Sequence, residues 1–84
     1  MASIEIYTTP SCGFCHAAKQ LLRKKGAAYI EFDVSADPDL RAKMTKRAGG
    51  GRTVPQIFIS GTHIGGCDDL YALDQDGDLD PLLT

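Results

Sequence analysis

Apolar and polar residues follow recognisable periods along the first half of this chain. Residues 4–8 alternate and are rich in β-forming types, which predicts a strand. Apolar residues then recur at helical spacing as far as Gly26, with Ser11 expected as the N-cap or Pro10 as the helix entry. Residues 28–34 predict a second strand. Because a helix connects the two strands, they should be parallel and form a right-handed βαβ unit.

The second half of the chain predicts a helix, a β-hairpin and two further helical segments. The segment 37–39 has the sequence Asp-Pro-Asp, which is typical of a helix start, and the three glycines at 49–51 should end that helix. Residues 56–59 predict a third strand, and the turn at 60–61 leads into a short strand around His63. A third helix is expected to begin at Asp68 or Asp69, and a weaker helical turn follows over residues 79–83.

The candidate chemistry lies between the first strand and the first helix, in the motif Cys12-Gly-Phe-Cys15. Residues three apart on a helix have Cβ atoms roughly 5–6 Å apart, within reach of a disulfide bond. Unpaired amides and the positive end of the helix dipole favour a thiolate at the first cysteine. We therefore expect Cys12 to be the nucleophile and Cys15, one turn deeper, to be the resolving thiol.

A zinc site is the structural alternative for this motif. Such sites need a second pair of cysteine or histidine ligands at matching spacing. The remaining candidates, Cys67, His16 and His63, form no such pair, so the sequence favours dithiol chemistry.

Composition and length narrow the classes of function. The 84 residues suffice for one domain, residues 1–84, and 43% of them are hydrophobic, as in ordinary globular proteins. A formal net charge of −2 argues against nucleic acid as a partner, and no apolar run approaches the ~20 residues of a membrane span. The N-terminal sequence lacks the basic and apolar pattern of a signal peptide. Three cysteines are too few for a secreted disulfide framework, so we expect a cytoplasmic protein.

The predicted order β-α-β-α-β-β-α, with a possible extra helix and the cysteine pair after the first strand, describes an α/β thioredoxin-like fold. Three segments, spread over essentially the whole chain, then resemble the glutaredoxin family, in particular its small bacterial members of the "three" type. They are Cys12-Gly-Phe-Cys15, Thr53-Val-Pro-Gln-Ile-Phe-Ile59 and Ile64-Gly-Gly-Cys-Asp-Asp-Leu70. The resemblance implies a four-stranded mixed sheet flanked by helices.

The resemblance also implies a glutathione site. Although most X–Pro bonds are trans, it implies a cis Pro55 that turns the Val54 backbone toward a peptide-like substrate. The segment Gly66-Cys67-Asp68 would bind the γ-glutamyl end of glutathione, with amides for its carboxylate and the Asp68 side chain for its ammonium. The residues alone also allow a tight turn with Asp68 as a helix cap.

The other carboxylate of glutathione needs a cation. Many glutaredoxins have a lysine where this chain has Thr9, so either Arg41 or Arg52 would replace it. Phe14 stands where the family has tyrosine and would form an apolar wall, and Cys67 would contribute its backbone rather than a third redox thiol. The predicted glutathione-binding residues are Thr9, Phe14, Arg41, Thr53, Val54, Pro55, Gly66, Cys67 and Asp68.

The expected function is a monomeric, glutathione-dependent thiol–disulfide oxidoreductase that acts on glutathione mixed disulfides and protein disulfides and requires no metal. The alternative is an iron–sulfur carrier, because Gly13 makes the motif similar to that of single-thiol glutaredoxins. Two copies would then share a [2Fe–2S] cluster through Cys12 of each chain and two glutathiones. A thioredoxin is disfavoured because those proteins usually carry Trp-Cys-Gly-Pro-Cys, and this chain has no tryptophan.

Overall fold

The computed structural model describes residues 2–84 and has one four-stranded mixed sheet in the order β2-β1-β3-β4. Strand β1 pairs in parallel with β2 and antiparallel with β3, and β3 pairs antiparallel with β4. The strands are β1 (Ile4–Thr8), β2 (Ile30–Asp33), β3 (Gln56–Ile59) and β4 (Thr62–Gly65). This topology confirms the predicted α/β thioredoxin-like fold and its order of elements.

Four helices cover the two faces of the sheet. They are α1 (Gly13–Lys24), α2 (Pro38–Arg47), α3 (Cys67–Gln75) and α4 (Leu79–Leu83). Within residues 2–84, no helix is both long and apolar enough to cross a membrane.

The sheet divides the core into two apolar layers because successive side chains of a strand point to opposite faces. Helices α1, α3 and α4 pack on the face that carries the isoleucines of β1 and β3. Helix α2 covers the other face, where Met44 packs against Tyr7 and Phe58. The cysteine motif follows the end of β1, a central strand, so its position depends on both layers.

The helix starts differ from the predictions at two places. The N-cap of α1 is Cys12, not Ser11, because the sulfur of Cys12 itself accepts a hydrogen bond from the amide of Cys15. Helix α3 begins at Cys67 rather than at Asp68 or Asp69. The reason is that Gly66 is the N-cap, and its amide donates to the carboxylate of Asp69 at 2.9 Å. Asp69 therefore stabilises the helix from its first turn instead of preceding it.

Strand β2 is also shorter than the predicted 28–34 and runs over Ile30–Asp33. It is an edge strand of the sheet, and the amide of Ala27 still bonds to Leu22 at the end of α1. The residues that follow Ala27 therefore lead the chain away from α1 before sheet pairing begins at Ile30.

Candidate active site

Cys12 lies at the start of α1 with extended backbone angles, φ −91° and ψ 111°. Its Sγ accepts a hydrogen bond from the amide of Cys15 at 3.1 Å, and the thiol donates to the carbonyl of Val54 at 3.6 Å. Cys12 is partly exposed, whereas Cys15 is fully buried. A backbone donor at a helix N-terminus stabilises negative charge on this sulfur, as a nucleophilic thiolate requires.

Cys15 has the opposite environment. Burial, followed by the hydrogen bond with Cys12, raises the pKa of its thiol from an ordinary 9.0 to about 12. Cys15 therefore keeps its proton while Cys12 is the thiol open to a substrate. Both cysteines are reduced in this structure. The two environments fit the predicted division into attacking and resolving thiols.

The segment 52–54 forms the wall opposite the motif. The Val54–Pro55 peptide bond is cis, as the family resemblance implied. Three successive carbonyls of this wall each accept a hydrogen bond from a side chain: Arg52 from Arg41, Thr53 from Gln56 and Val54 from Cys12. Within residues 2–84 the amide of Val54 has no acceptor, so it is free to donate to a bound molecule.

The N-terminus of α3 forms the third side of the site. The amides of Cys67 and Asp68 have no acceptor within the described residues 2–84, and the Asp68 side chain is exposed. A side chain at Gly66 would lie 3.5 Å from the carbonyl of Pro55, which shows how closely this turn approaches the cis-proline wall. Free amides at a helix N-terminus bind anions, while the adjacent carboxylate attracts a cation.

Gly65, just before this turn, adopts φ +119°, a conformation that side chains rarely accept. A Cβ atom at this position would also collide with the carboxylate of Asp69. Since that carboxylate binds the amide of Gly66, glycine at 65 leaves room for the contact that shapes the α3 N-terminus.

These three sides enclose one open groove of about 440 Å³. Seven of the predicted glutathione-binding residues line it: Phe14, Thr53, Val54, Pro55, Gly66, Cys67 and Asp68. Phe14 is 67% exposed, so its ring is available as an apolar contact surface. The groove thus combines an apolar wall, free amides and a carboxylate, and its wall contacts the Cys12 thiol.

Two of the predicted binding residues do not line the groove. Thr9 accepts a hydrogen bond at its carbonyl from the amide of Cys12, at 3.3 Å. The Nη2 group of Arg41 donates to the carbonyl of Arg52 at 3.0 Å, so this side chain supports the wall. Arg52 is exposed at the start of the same wall.

The sequence reasoning did not assign Gln56, His63 or Asp69 to the groove, although all three line it. A signal was present for two of them. Gln56 is a polar residue in an otherwise apolar strand, and Asp69 follows Gly66 at the spacing of a capping box. His63 had no such signal because only the hairpin register brings it opposite Phe58.

The remaining candidates for chemistry are accounted for by local contacts. Nε2 of His16 donates to the carbonyl of Pro10 at 3.0 Å, so this nitrogen carries a hydrogen and is not a free base. Cys67 is buried, and that burial together with the neighbouring Asp68 raises the pKa of its thiol. A buried, protonated thiol is a poor nucleophile, which agrees with a backbone role for Cys67.

Together these observations define a class of protein. A thioredoxin-like sheet places an accessible cysteine at a helix N-terminus, a buried cysteine one turn later and a cis-proline wall opposite. This arrangement is that of a thiol–disulfide oxidoreductase.

Comparison with known proteins identifies the family. The glutaredoxin family model matches residues 4–64. Glutaredoxin 3 of Escherichia coli (strain K12) is 55% identical over 83 residues, which cover 99% of this chain and 99% of that protein. The solution structure of glutaredoxin from Brucella melitensis is 55% identical with a TM-score of 0.87, over 99% of this chain and 89% of that chain. The crystal structure of a buckwheat glutaredoxin–glutathione complex is 34% identical with a TM-score of 0.88, over 98% and 76% of the two chains. The chain belongs to the glutaredoxin family and is a thiol–disulfide oxidoreductase.

Proposed function

We propose that this glutaredoxin uses glutathione as its co-substrate and reduces glutathione mixed disulfides and protein disulfides. One observation carries the proposal: the unpartnered amides of Cys67 and Asp68, beside the Asp68 carboxylate, share a groove whose wall contacts the Cys12 thiol. An α-amino acid end presents a carboxylate and an ammonium together. The γ-glutamyl end of glutathione has both groups, so it matches this pair of donors and acceptor.

The opposite wall supports the same ligand. The free amide of Val54 pairs with the glutathione backbone in the manner of an added strand residue. Phe14 covers the ligand from the side of the motif, and the exposed Arg52 attracts the glycine carboxylate. Arg41 acts on this wall through the carbonyl of Arg52.

The reaction with a glutathione mixed disulfide proceeds in two thiol exchanges. The Cys12 thiolate attacks the glutathione sulfur, the disulfide breaks, and the substrate leaves as a thiolate that takes up a proton. Cys12 is then bonded to glutathione. The thiolate of a second glutathione attacks the sulfur of the bound one, which forms glutathione disulfide and returns Cys12 as a thiolate.

Protein disulfides use the second cysteine. The Cys12 thiolate attacks one sulfur of the target disulfide, that S–S bond breaks, and the other target sulfur leaves as a thiolate while Cys12 stays joined to the protein in a mixed disulfide. Cys15, after losing its proton, attacks Sγ of Cys12, releases the second target thiol and leaves a Cys12–Cys15 disulfide. Two glutathiones then reduce this disulfide in two successive exchanges, which form glutathione disulfide and return both cysteines as thiols. The amide of Cys15 already contacts Sγ of Cys12, so the two residues are adjacent before this step.

Serine variants of the two cysteines test this scheme. We expect Cys12→Ser to abolish both reactions. We expect Cys15→Ser to keep the reduction of a peptide–glutathione mixed disulfide, because the backbone amide that contacts Cys12 is retained, and to lose turnover with protein disulfides. Cys67→Ser is the matched control and should keep both reactions. Loss of both reactions in Cys15→Ser would contradict the single-thiol step.

The alternative function, a glutathione-ligated [2Fe–2S] cluster shared by two copies, is favoured by one observation. Cys12 is a free, partly exposed thiol and would be this chain's own ligand to the cluster. A cluster would therefore need ligands from a second chain and from glutathione. The test is the visible spectrum and oligomeric state of protein purified without air in the presence of glutathione. A colourless monomer supports the oxidoreductase alone, and a brown dimer supports the cluster.

A further inference from the structure

Gln56 is one of the few polar residues buried in this protein, with 5% of its surface exposed. A buried side-chain amide is costly unless its donors and acceptor are paired. Nε2 of Gln56 donates to the carbonyl of Thr53 at 2.9 Å, and Oε1 accepts from Nε2 of His63 at 2.7 Å. Gln56 therefore links the strand pair β3–β4 to the wall of the groove.

The direction of this hydrogen-bond chain is fixed by chemistry. The carbonyl of Thr53 can only accept, so the amide nitrogen of Gln56 must face it and the amide oxygen must face His63. The imidazole nitrogen Nε2 of His63 must then carry a hydrogen. The ring of His63 also packs on Phe58, with centroids 5.1 Å apart, so the donor is held in place from two sides.

The hydrogen-bond chain from His63 through Gln56 ends at Thr53, the residue that precedes Val54. The bond from Gln56 to Thr53 spans the cis peptide bond at 54–55 and closes a small ring of backbone and side chain. The segment 52–54 does not belong to a strand, so its carbonyls are fixed by side chains instead of sheet partners. The orientation of the free Val54 amide depends on these bonds.

We propose that Gln56 and His63 are positioning residues, which hold the Thr53–Val54 wall in the orientation that binds the glutathione moiety of the substrate. This inference rests on the proposed glutathione function and gives a structural reason for the affinity of the groove for glutathione. A wall that is rigid before binding loses less entropy when the ligand docks. The effect is therefore on substrate affinity and not on the intrinsic reactivity of the Cys12 thiol.

The test compares three variants with the wild type. Gln56→Glu keeps the shape and the acceptor for His63 but replaces the donor to Thr53 by an oxygen. His63→Leu removes the donor to Gln56 at an exposed position, so folding should be retained. His63→Gln is the conservative variant, because it places an amide donor where the imidazole nitrogen was. The measurements are kcat and KM for a peptide–glutathione mixed disulfide, and the rate of Cys12 alkylation by iodoacetamide.

We expect Gln56→Glu and His63→Leu to raise KM roughly 3- to 10-fold, the equivalent of one lost hydrogen bond. The alkylation rate should stay within about 2-fold of the wild type, because the amide of Cys15 still donates its hydrogen bond to Sγ of Cys12. His63→Gln should restore KM to near the wild-type value. If Gln56→Glu fails to fold, His63→Leu and its rescue by His63→Gln decide the question.

Two results would overturn the inference: an unchanged KM in His63→Leu, or a fall of alkylation rate and kcat in the same proportion as kcat/KM. Failure of the proposed function gives a different result, because the wild type itself would then show no preference for the glutathione mixed disulfide over a disulfide without glutathione.

Discussion

The amide of Cys15 donates a hydrogen bond of 3.1 Å to Sγ of Cys12, so the two cysteines of the motif are in contact before any disulfide forms. The same contact caps helix α1, a position usually taken by an oxygen of serine, threonine, aspartate or asparagine. The sulfur of Cys12, the proposed nucleophile, is thus part of the helix start. Because the donor is a backbone group, the side chain at 15 can be changed without removing it, which separates the roles of the two thiols.

The buried Cys15 thiol should make the reduced protein less stable at alkaline pH. In the unfolded chain this thiol ionises near its ordinary pKa of 9.0, whereas burial, the larger cause, and the contact with Cys12 raise its folded pKa to about 12. Between these values the unfolded state binds fewer protons than the folded state, so stability falls as pH rises. Below pH 9 the contribution of the Cys15 thiol to the free energy of unfolding does not change with pH.

Urea unfolding of the reduced protein at pH 7.5, 9 and 10 measures this effect, with Cys15→Ser as the reference. The serine substitution itself lowers the free energy of unfolding, by an amount that is the same at each pH. We expect the stability advantage of the wild type over the variant to shrink from pH 9 upward. A constant difference across the series would show that the folded-state pKa of Cys15 is not raised.

Glu31 should contribute stability that is lost in acid. The buried hydroxyl of Thr8 donates to its Oε2 at 2.6 Å, and Nζ of Lys19 lies 2.9 Å from the same oxygen. The hydrogen bond from Thr8, and after it the one from Lys19, lowers the pKa of this carboxyl below its ordinary value of 4.5. The contribution is complete above pH 4.5 and is lost as pH falls through the folded pKa.

Glu31→Gln removes this titration, so the variant should be less stable than the wild type at pH 7 and approach it in stability near pH 3. Thr8→Val, which deletes the first donor at nearly constant volume, should remove part of the same pH dependence. Urea midpoints at pH 7, 5, 4 and 3 give the comparison. Parallel curves for wild type and Glu31→Gln would refute the lowered pKa.

Arg47 should stabilise the fold without affecting catalysis. Its guanidinium donates to the hydroxyl of Tyr7 at 2.9 Å, pairs with Glu5 at 3.0 Å and lies 4.1 Å from the ring centre of Phe58. An exposed cation–π contact and a surface ion pair are each worth up to ~1 kcal/mol. We expect Arg47→Met to lower the unfolding free energy by roughly 1–2 kcal/mol.

The matched control is Lys43→Met on the same helix, where the side chain is exposed. This variant should change stability by less than about 0.5 kcal/mol. Both variants should retain the mixed-disulfide reduction of the wild type, because neither residue lines the groove. Equal losses of stability in the two variants would mean that the contacts of Arg47 with Tyr7 and Phe58 contribute nothing specific.

The sequence predicted what depends on local pattern and motif. Apolar periodicity predicted the strands β1 and β3, and the spacing of the motif predicted the cysteine pair. The groove segments around Val54 and Cys67 were predicted from the family resemblance. The predictions of the helix starts were wrong for α1, where Ser11 was expected as the N-cap, and for α3, which was expected to begin at Asp68 or Asp69. Cap choice depends on which atom reaches a free amide in three dimensions: here these atoms are a cysteine sulfur and the carboxylate of Asp69.

The hydrogen-bond chain through Gln56 was beyond prediction for a related reason. It joins Thr53, Gln56 and His63, whose meeting depends on hairpin register and on the backbone path through the cis bond. The position of Arg41 is a similar case. The sequence offered it as a cation for the ligand, whereas in the structure its guanidinium donates to the wall at Arg52.

Gly13 provides a variant that separates the two candidate functions. It is the first residue of α1, its amide has no acceptor within residues 2–84, and a Cβ at this position would meet no atom within 4 Å. Proline is favoured at the first helical position and requires an extended residue before it. Cys12, at φ −91° and ψ 111°, already satisfies that requirement.

We expect Gly13→Pro to raise the unfolding free energy by about 0.4–1 kcal/mol, through a less flexible unfolded chain, and to keep mixed-disulfide reduction. Gly13→Ala is the control for the added Cβ alone. Urea unfolding and the mixed-disulfide assay give both readouts. If the proline variant instead loses activity while the alanine variant retains it, motion of the Cys12–Gly13 backbone is part of the reaction. Loss of a glutathione-dependent brown colour in the proline variant alone would assign that motion to cluster assembly.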